Sequence, residues 1–351
     1  MPASPSLFGI PFEVRAMIIQ QVILAPRLSP AKNLDELAQQ QRQHQLNDKS
    51  CRNYVSFLSK PATNPAMSLL LTNSQLYDET LDTLQHTFKG TAASPSYTAD
   101  IIYLNNGTLW PTWLSTPVRA SHVDTVHIQF RVFHHPEELR PGGVPRYRLF
   151  NPGRVMWSCH DLLLDFLLSG RHGPCGQPIT VNRLVLDFLP ATDATHDIFP
   201  LCPSTNWEWL SDPKELGEWI STKEIRENVR ECFRPPHWME EALYRDDIGM
   251  KVAAGFMGYV WRLLEWIAGP DHYYLYAKTE ALYEHVGVVE IRLDGKPHKT
   301  VDLASYLEGS PPDFGGDTTR ADRYWGWYHG SAEWRREVKM KRRKLGMPVY
   351  E

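Results

Sequence analysis

Histidine and cysteine side chains that could bind a metal ion occur at three places in the chain: His134-His135, Cys159-His160 and His172-x-x-Cys175. Thiolate and imidazole groups are zinc ligands, and a His-x-x-Cys pair can reach a single ion. Zinc sites normally combine two close pairs at a recognisable spacing, which these residues do not provide. His172 and Cys175 also lie in a segment rich in glycine and proline, which is typical of a surface loop. We therefore expect neither a metal nor a cofactor.

Sequence motifs of familiar enzyme classes are absent. There is no Gly-x-Ser-x-Gly turn that would expose a nucleophilic serine, and no glycine pattern that would hold phosphate. The aromatic segments 273–276 and 324–328 could line a pocket or stack on bases, but such density is more typical of a core. We expect a protein that acts by binding and not as an enzyme. Catalytic side chains scattered among the 14 histidines and many serines stay an alternative.

The composition is that of a folded chain with a sizeable core. Of its 351 residues, 42% are hydrophobic and 22% are charged. The five cysteines are odd in number and form no Cys-x-x-Cys pair, which favours a reducing compartment. The first residues show no secretory signal, and the longest apolar run is too short to span a bilayer. We expect the cytoplasm or the nucleus.

Positive charge is concentrated near the C-terminus. Residues 335–344 hold seven basic side chains and one acid, which leaves 30 basic and 40 acidic residues elsewhere, a net charge of −10. Ser331 could cap a helix whose last turns carry these cations, a favourable arrangement for the helix dipole. Such a segment could direct nuclear import or be a solvated helix, whereas nucleic-acid binding is less favoured. The import reading rests on Arg335, Arg336, Lys341, Arg342, Arg343 and Lys344.

The first ninety residues predict helices. Pro11 is suited to the first position of a helix in which Val14, Met17, Ile18 and Val22 form an apolar stripe. A second helix is predicted over residues 66–86. The polar insert between them, residues 26–66, has a glutamine-rich centre that favours a solvated helix or a mobile segment.

Alternating apolar and polar side chains follow at four segments, which is typical of strands. These segments are 101–104, 126–132, 184–188 and 288–293. Helical spacing occurs between them, at 159–168, 213–234 and 250–268. The order predicts an α+β (mixed α/β) fold with a mixed sheet covered by helices. None of the 12 tryptophans precedes Trp110, so we expect a helical module at 1–90, a body at 91–330 and a basic tail at 331–351.

Two N-terminal motifs carry a family resemblance. The first is Ile10-Pro11-x-Glu13-Val14-Arg15, followed by Met17-Ile18 and by Pro26-Arg27. The second is Leu69-Leu70-x-x-Asn73-x-x-Leu76-Tyr77-x-Glu79-x-Leu81. Together they resemble the opening of fungal F-box-like proteins, including the group with paired Glu-x-Arg motifs. In those families a mixed α/β body of mostly unknown activity follows.

The resemblance implies a protein-interaction role. The first helices would dock on a Skp1-type adaptor of a cullin ubiquitin ligase, and the body would hold a substrate. The physical basis would be a helix placed in an apolar groove, which needs no bond-making residue. The alternative is that both helices only pack on the protein's own sheet. The implied partner-binding residues are Ile10, Pro11, Val14, Met17, Ile18, Leu76 and Tyr77.

Overall fold

A computed structural model describes about half of the chain. The described residues are 7–24, 36, 42–44, 55–58, 65–88, 96–104, 108–116, 122–133, 158–159, 162–163, 165–168, 178–191, 247–268, 276–308 and 332–350. Within them a six-stranded mixed sheet packs with helices, so the predicted mixed α/β class is confirmed. The predicted helix at 213–234 and the candidate ligands His134, His135, His160, His172 and Cys175 lie outside the described residues.

The N-terminal helices form where the sequence predicts them, with one break. A short 3-10 turn, Leu7–Gly9, precedes α1, Phe12–Leu24. The second predicted helix is divided into α2, Pro65–Leu70, and α3, Ser74–Phe88. The break is explained by Asn73, whose Oδ1 accepts a hydrogen bond of 2.9 Å from the Leu76 N–H and so caps the start of α3.

The polar insert, most of which lies outside the described residues, contains short strands, and these correct the expectation of a solvated helix or mobile segment at residues 42–44. Its centre forms β1, Arg42–His44, which pairs antiparallel with β2, Ser56–Leu58. Val55 is buried and bridges to Leu109, and Phe57 packs against the main core. The apolar residues next to the polar run therefore anchor the insert to the edge of the large sheet.

The large sheet has the order β4-β3-β5-β6-β7-β8. Its strands are β3 Ser96–Leu104, β4 Leu109–Ser115, β5 His122–Phe133, β6 Thr180–Phe188, β7 Val286–Leu293 and β8 Lys296–Asp302. The four inner strands are parallel, and the two edge strands pair antiparallel. The four predicted strands are all present. Residues 184–188 of strand β6 are buried on both faces, as inner parallel strands usually are.

Helices cover one face of this sheet. They include α4 Ile248–Ala268, α5 Tyr276–His285, the short α6 Leu303–Tyr306 and α7 Ala332–Lys344. Phe130 and Phe188 stack with ring centroids 4.8 Å apart on neighbouring strands, and Phe256 of α4 meets both rings edge-on. These contacts join α4 to the sheet in the main apolar core.

The outer strands β4 and β8 were not predicted, although the sequence contains a signal for the second. Asp294 and Gly295 adopt positive φ angles of 51° and 73° in the turn between β7 and β8. An Asp-Gly pair after a strand is typical of such a hairpin turn, which requires positive φ at both positions. The Gly295 N–H also donates to Oδ1 of Asp187 at 3.0 Å, which ties the turn to β6.

Candidate protein-docking face

Helix α1 carries apolar side chains on two opposite sides. Ile19 and Ile23 are each only 2% exposed and pack with Leu76 of α3. On the other side, Val14, Met17 and Ile18 are 43%, 65% and 38% exposed. A helix that is apolar all round normally has both sides covered. We call the exposed set of Val14, Met17 and Ile18 the docking face.

A buried ion pair decides which side of α1 faces inward. Arg15 of the first motif donates through Nε and Nη2 to both carboxylate oxygens of Glu79 in the second motif, with an Nε–Oε2 distance of 2.9 Å. Its Nη1 donates to the carbonyl of Ile10, and Gln75 donates to Glu79 Oε1 at 2.9 Å. The planar guanidinium matches the carboxylate in one orientation. The pair therefore sets the rotation of α1 against α3.

The pair is charged at neutral pH. The hydrogen bond from Arg15 holds the pKa of Glu79 below its ordinary value, and burial, which acts in the opposite direction, does not cancel this effect. The same hydrogen bond raises the pKa of Arg15. Charge is therefore placed inside this small helical cluster, and apolar surface is left outside.

The remaining predicted partner-binding residues divide between surface and interior. Pro11 and Tyr77 are exposed, and Ile10 is half-buried. The prediction that Leu76 contacts a partner is corrected. Its side chain is only 5% exposed and packs against α1, where a partner would not reach it. Phe8, Phe12 and Leu71 are exposed apolar residues of the same region that were not among the predicted ones, with exposed fractions of 42%, 43% and 79%. Their position beside the two motifs could have indicated them.

The basic C-terminal segment is built into the body. Val338 of α7 belongs to the main core, and Arg342 is completely buried. The Arg342 guanidinium donates to the backbone carbonyls of Tyr283, Val286 and Pro348. Burial lowers the pKa of Arg342 to about 10, so it keeps its charge at neutral pH. Helix α7 is thus packed against α5 and the first residue of β7.

This packing removes one of the six predicted import residues from the surface and reduces the accessibility of two others. Arg342 lies inside and is not accessible to a receptor. Lys341 is bound to Glu284, with an Nζ–Oε1 distance of 2.6 Å. Arg335 is half-buried. The fully exposed cations among the predicted residues, apart from the paired Lys341, are Arg336, Arg343 and Lys344.

The sheet face opposite the main core carries paired charges. Burial pushes the pKa of Asp187 upward, but the nearby His127 ring, whose Nε2 lies 3.4 Å from Oδ2, and the hydrogen bond from the Gly295 N–H leave it below its ordinary value. Each buried carboxylate on this face has a basic partner, as expected of a structural network. The pairs are Asp100 with Arg131, Asp187 with His127, and Glu290 with Arg183 and Arg292.

Within the described ranges, no group of three or more metal-binding side chains occurs. Cys159 is a buried thiol whose pKa burial raises well above its ordinary value, so it is a poor nucleophile and ligand. No helix of the described part is long and apolar enough to cross a membrane.

Comparison of the chain with protein-family models, with curated proteins and with solved structures gives no match.

The Arg15–Glu79 pair yields a stability prediction. We expect Arg15→Leu and Glu79→Leu each to lower Tm more than the double variant does, because each single change leaves one buried charge without its partner. In the wild-type protein, the stabilisation that comes from the ionised Glu79 is fully present above the ordinary Glu pKa of 4.5. It is lost as the pH falls through the lowered pKa of Glu79. Thermal melts between pH 7 and pH 3 measure both effects. Single variants as stable as the double would contradict a buried charge pair.

Arg342 and its neighbour Arg343 make a matched pair for a second prediction. Arg342→Met removes the donor from three carbonyls, and the two buried ones, those of Tyr283 and Val286, cost roughly 1–3 kcal/mol each when left unpaired. Arg343 is exposed, so Arg343→Met should change the free energy of unfolding by no more than about 0.5 kcal/mol. Urea unfolding of both variants compares them directly. Equal losses would show that Arg342 does not hold the C-terminal segment in place.

Proposed function

We propose that this protein acts by binding another protein through the docking face, as an F-box-like adaptor that recruits a substrate to a cullin-type ubiquitin ligase. The single observation that carries the proposal is the exposure of Val14, Met17 and Ile18 on a helix whose arginine is buried. The partner in this proposal is a Skp1-type protein, and the site of action is the cytoplasm or the nucleus.

Two features of the contacts support this role. The residues of both motifs meet each other, since Arg15 of the first motif binds Glu79 of the second. The pair holds α1 in an orientation that presents an unbranched Met17 flanked by branched Val14 and Ile18. An amphipathic helix recognised in an apolar groove uses anchors of this spacing. Binding of this kind needs no catalytic residue on the chain.

Substitution of the most exposed anchor tests the proposal. The full chain is mixed with a purified Skp1-type adaptor, and affinity is measured by calorimetry. We expect Met17→Asp to weaken binding by about tenfold or more, because a charge replaces a buried apolar anchor. Leu168→Asp is the matched control, since Leu168 is an exposed apolar residue outside the N-terminal helices at 39% exposure.

The control should bind like wild type. A wild-type chain that fails to bind the adaptor would refute the proposal. Equal binding by Met17→Asp and wild type would instead show that another surface is used. Ile10 is a poorer choice for substitution, because its side chain is half-buried and is less accessible to a partner than that of Met17.

A second proposal is a nuclear role that uses the basic C-terminal helix. It is supported by Arg336, Arg343 and Lys344, which remain exposed although Arg342 is buried. Deletion of the segment is a poor test, because it also removes Val338 from the core and Arg342 from its carbonyl partners.

Surface substitutions test the nuclear role without this damage. The variant with Arg336→Glu, Arg343→Glu and Lys344→Glu should lose nuclear accumulation of a fluorescent fusion, while Val338 and Arg342 stay in place. A variant with Arg336→Lys and Arg343→Lys keeps the charge and should localise like wild type. Unchanged localisation of the glutamate variant would remove this proposal.

A further inference from the structure

The exposed large apolar side chains of the described residues lie mainly in two groups. One group belongs to the N-terminal helices and includes the docking face of Val14, Met17 and Ile18. The other lies at the C-terminus, where Met340, Leu345 and Tyr350 are 48%, 37% and 44% exposed. Single exposed apolar residues need no explanation, whereas groups of them indicate an interaction surface.

The exposed charges of the N-terminal helices that carry the docking face are acidic. Residues 7–24 and 65–88 contain a single lysine or arginine, Arg15, and it is buried against Glu79. The exposed charged residues of these helices are Glu13, Asp78 and Asp82. Glu13 lies one turn before Met17 on α1, and Asp78 follows the exposed Tyr77 on α3. A partner for this surface should therefore combine apolar side chains with cations.

The exposed side of α7 combines an apolar side chain with cations. Met340 lies one turn after Arg336 and one turn before Lys344, so two exposed cations flank it on the same side of the helix. Arg343 is exposed on that side as well, together with one acid, Glu337, so cations outnumber acids there by three to one. We call Arg336, Met340, Arg343 and Lys344 the basic face. The orientation of the helix is fixed, because Val338 and Arg342 on its other side are buried.

We propose that the docking face of one copy of this protein binds the basic face of a second copy, in a head-to-tail contact. Apolar side chains meet apolar side chains in this arrangement, and Glu13 and Asp78 meet the cations beside Met340. Both faces are exposed in the single chain, so they do not cover each other within one copy. Because the two faces differ, each copy keeps one free face, and the contact propagates to larger assemblies.

This self-association goes beyond adaptor binding and does not depend on it. It uses the same docking face, however, so a bound second copy and a bound adaptor exclude each other. The adaptor would then dissociate the assemblies. The basic face takes no part in adaptor binding, which allows the two interactions to be separated by substitution.

Two charge-reversal variants test the contact. The first carries Glu13→Lys and Asp78→Lys, which makes both of its faces basic. The second carries Arg336→Glu and Lys344→Glu, which makes both of its faces acidic. All four positions are exposed, so the variants should stay folded, with Tm lowered slightly because Glu13→Lys and Lys344→Glu place charges unfavourably at helix ends. Sedimentation equilibrium of the full chain over a range of protein concentrations measures the average mass of the assemblies.

We expect the wild-type mass to rise with concentration beyond that of a dimer. Each variant alone should associate about tenfold more weakly, because like charges then face each other. An equimolar mixture of the two variants should recover association, since each basic docking face finds an acidic partner. Raising the salt to 1 M, where the Debye length is about 3 Å, should reduce the difference between the variants and wild type.

Three outcomes would overturn the proposal. The first is a wild-type chain that stays monomeric at every concentration. The second is a variant that associates on its own as strongly as wild type, which would place the contact elsewhere or make it a symmetric contact. The third is a mixture no more associated than its components. Adaptor binding is measured in parallel with the Arg336→Glu and Lys344→Glu variant, whose docking face is intact, so failure of the adaptor proposal is seen separately.

Discussion

The buried ion pair between Arg15 and Glu79 is the interaction on which the surface of the N-terminal helices depends. An arginine is normally placed at the surface and an isoleucine or methionine inside. Here the bidentate contact with Glu79, supported by Gln75 and the Ile10 carbonyl, turns the charged position of α1 inward. Since a helix is rigid, this rotation forces Val14, Met17 and Ile18 outward. The docking face is a consequence of the position of one charge.

Part of this arrangement could be predicted from the sequence. The apolar stripe of Val14, Met17 and Ile18 was predicted from its spacing, and so was the association of the two motifs with one module. Spacing alone could not tell which of two apolar sides faces inward, because Ile19 and Ile23 form an equally good stripe. The inward-facing side of α1 is determined by Glu79, which is 64 residues from Arg15 in sequence and contacts it only in the folded chain.

The dependence on contacts distant in sequence also explains which strands of the body could be predicted and which could not. The inner strands were predicted because their apolar alternation is local and strong, as at Val126–Val132. The edge strands β4 and β8 carry more exposed or irregular side chains, and Pro111 and Pro297 interrupt their patterns, so periodicity did not show them. The strand in the centre of the insert was not predicted because its residues, Arg42–His44, are all polar. The stability of the insert's short strands comes from Val55 and Phe57, which contact the body.

The C-terminal helix contains a second buried arginine, whose charge is stabilised by a different kind of hydrogen-bond acceptor. Arg342 has no carboxylate hydrogen-bonded to it among the contacts of the described residues, and three backbone carbonyls accept its hydrogen bonds instead. Partial charges on carbonyl oxygens stabilise a buried cation less than a carboxylate does, which is why burial can lower the pKa of Arg342 while the pKa of Arg15 is raised.

The two arginines nevertheless have a common effect. Each uses its hydrogen bonds to fix the rotation of one helix, and each thereby determines which side chains of that helix reach the surface. At α1 the exposed side chains are apolar with acidic neighbours, and at α7 they are cations around Met340. A chain of net charge −4 thus presents two surfaces of opposite charge. Because charge complementarity steers association and selects partners, the internal positions of Arg15 and Arg342 govern what the outside of the protein can bind.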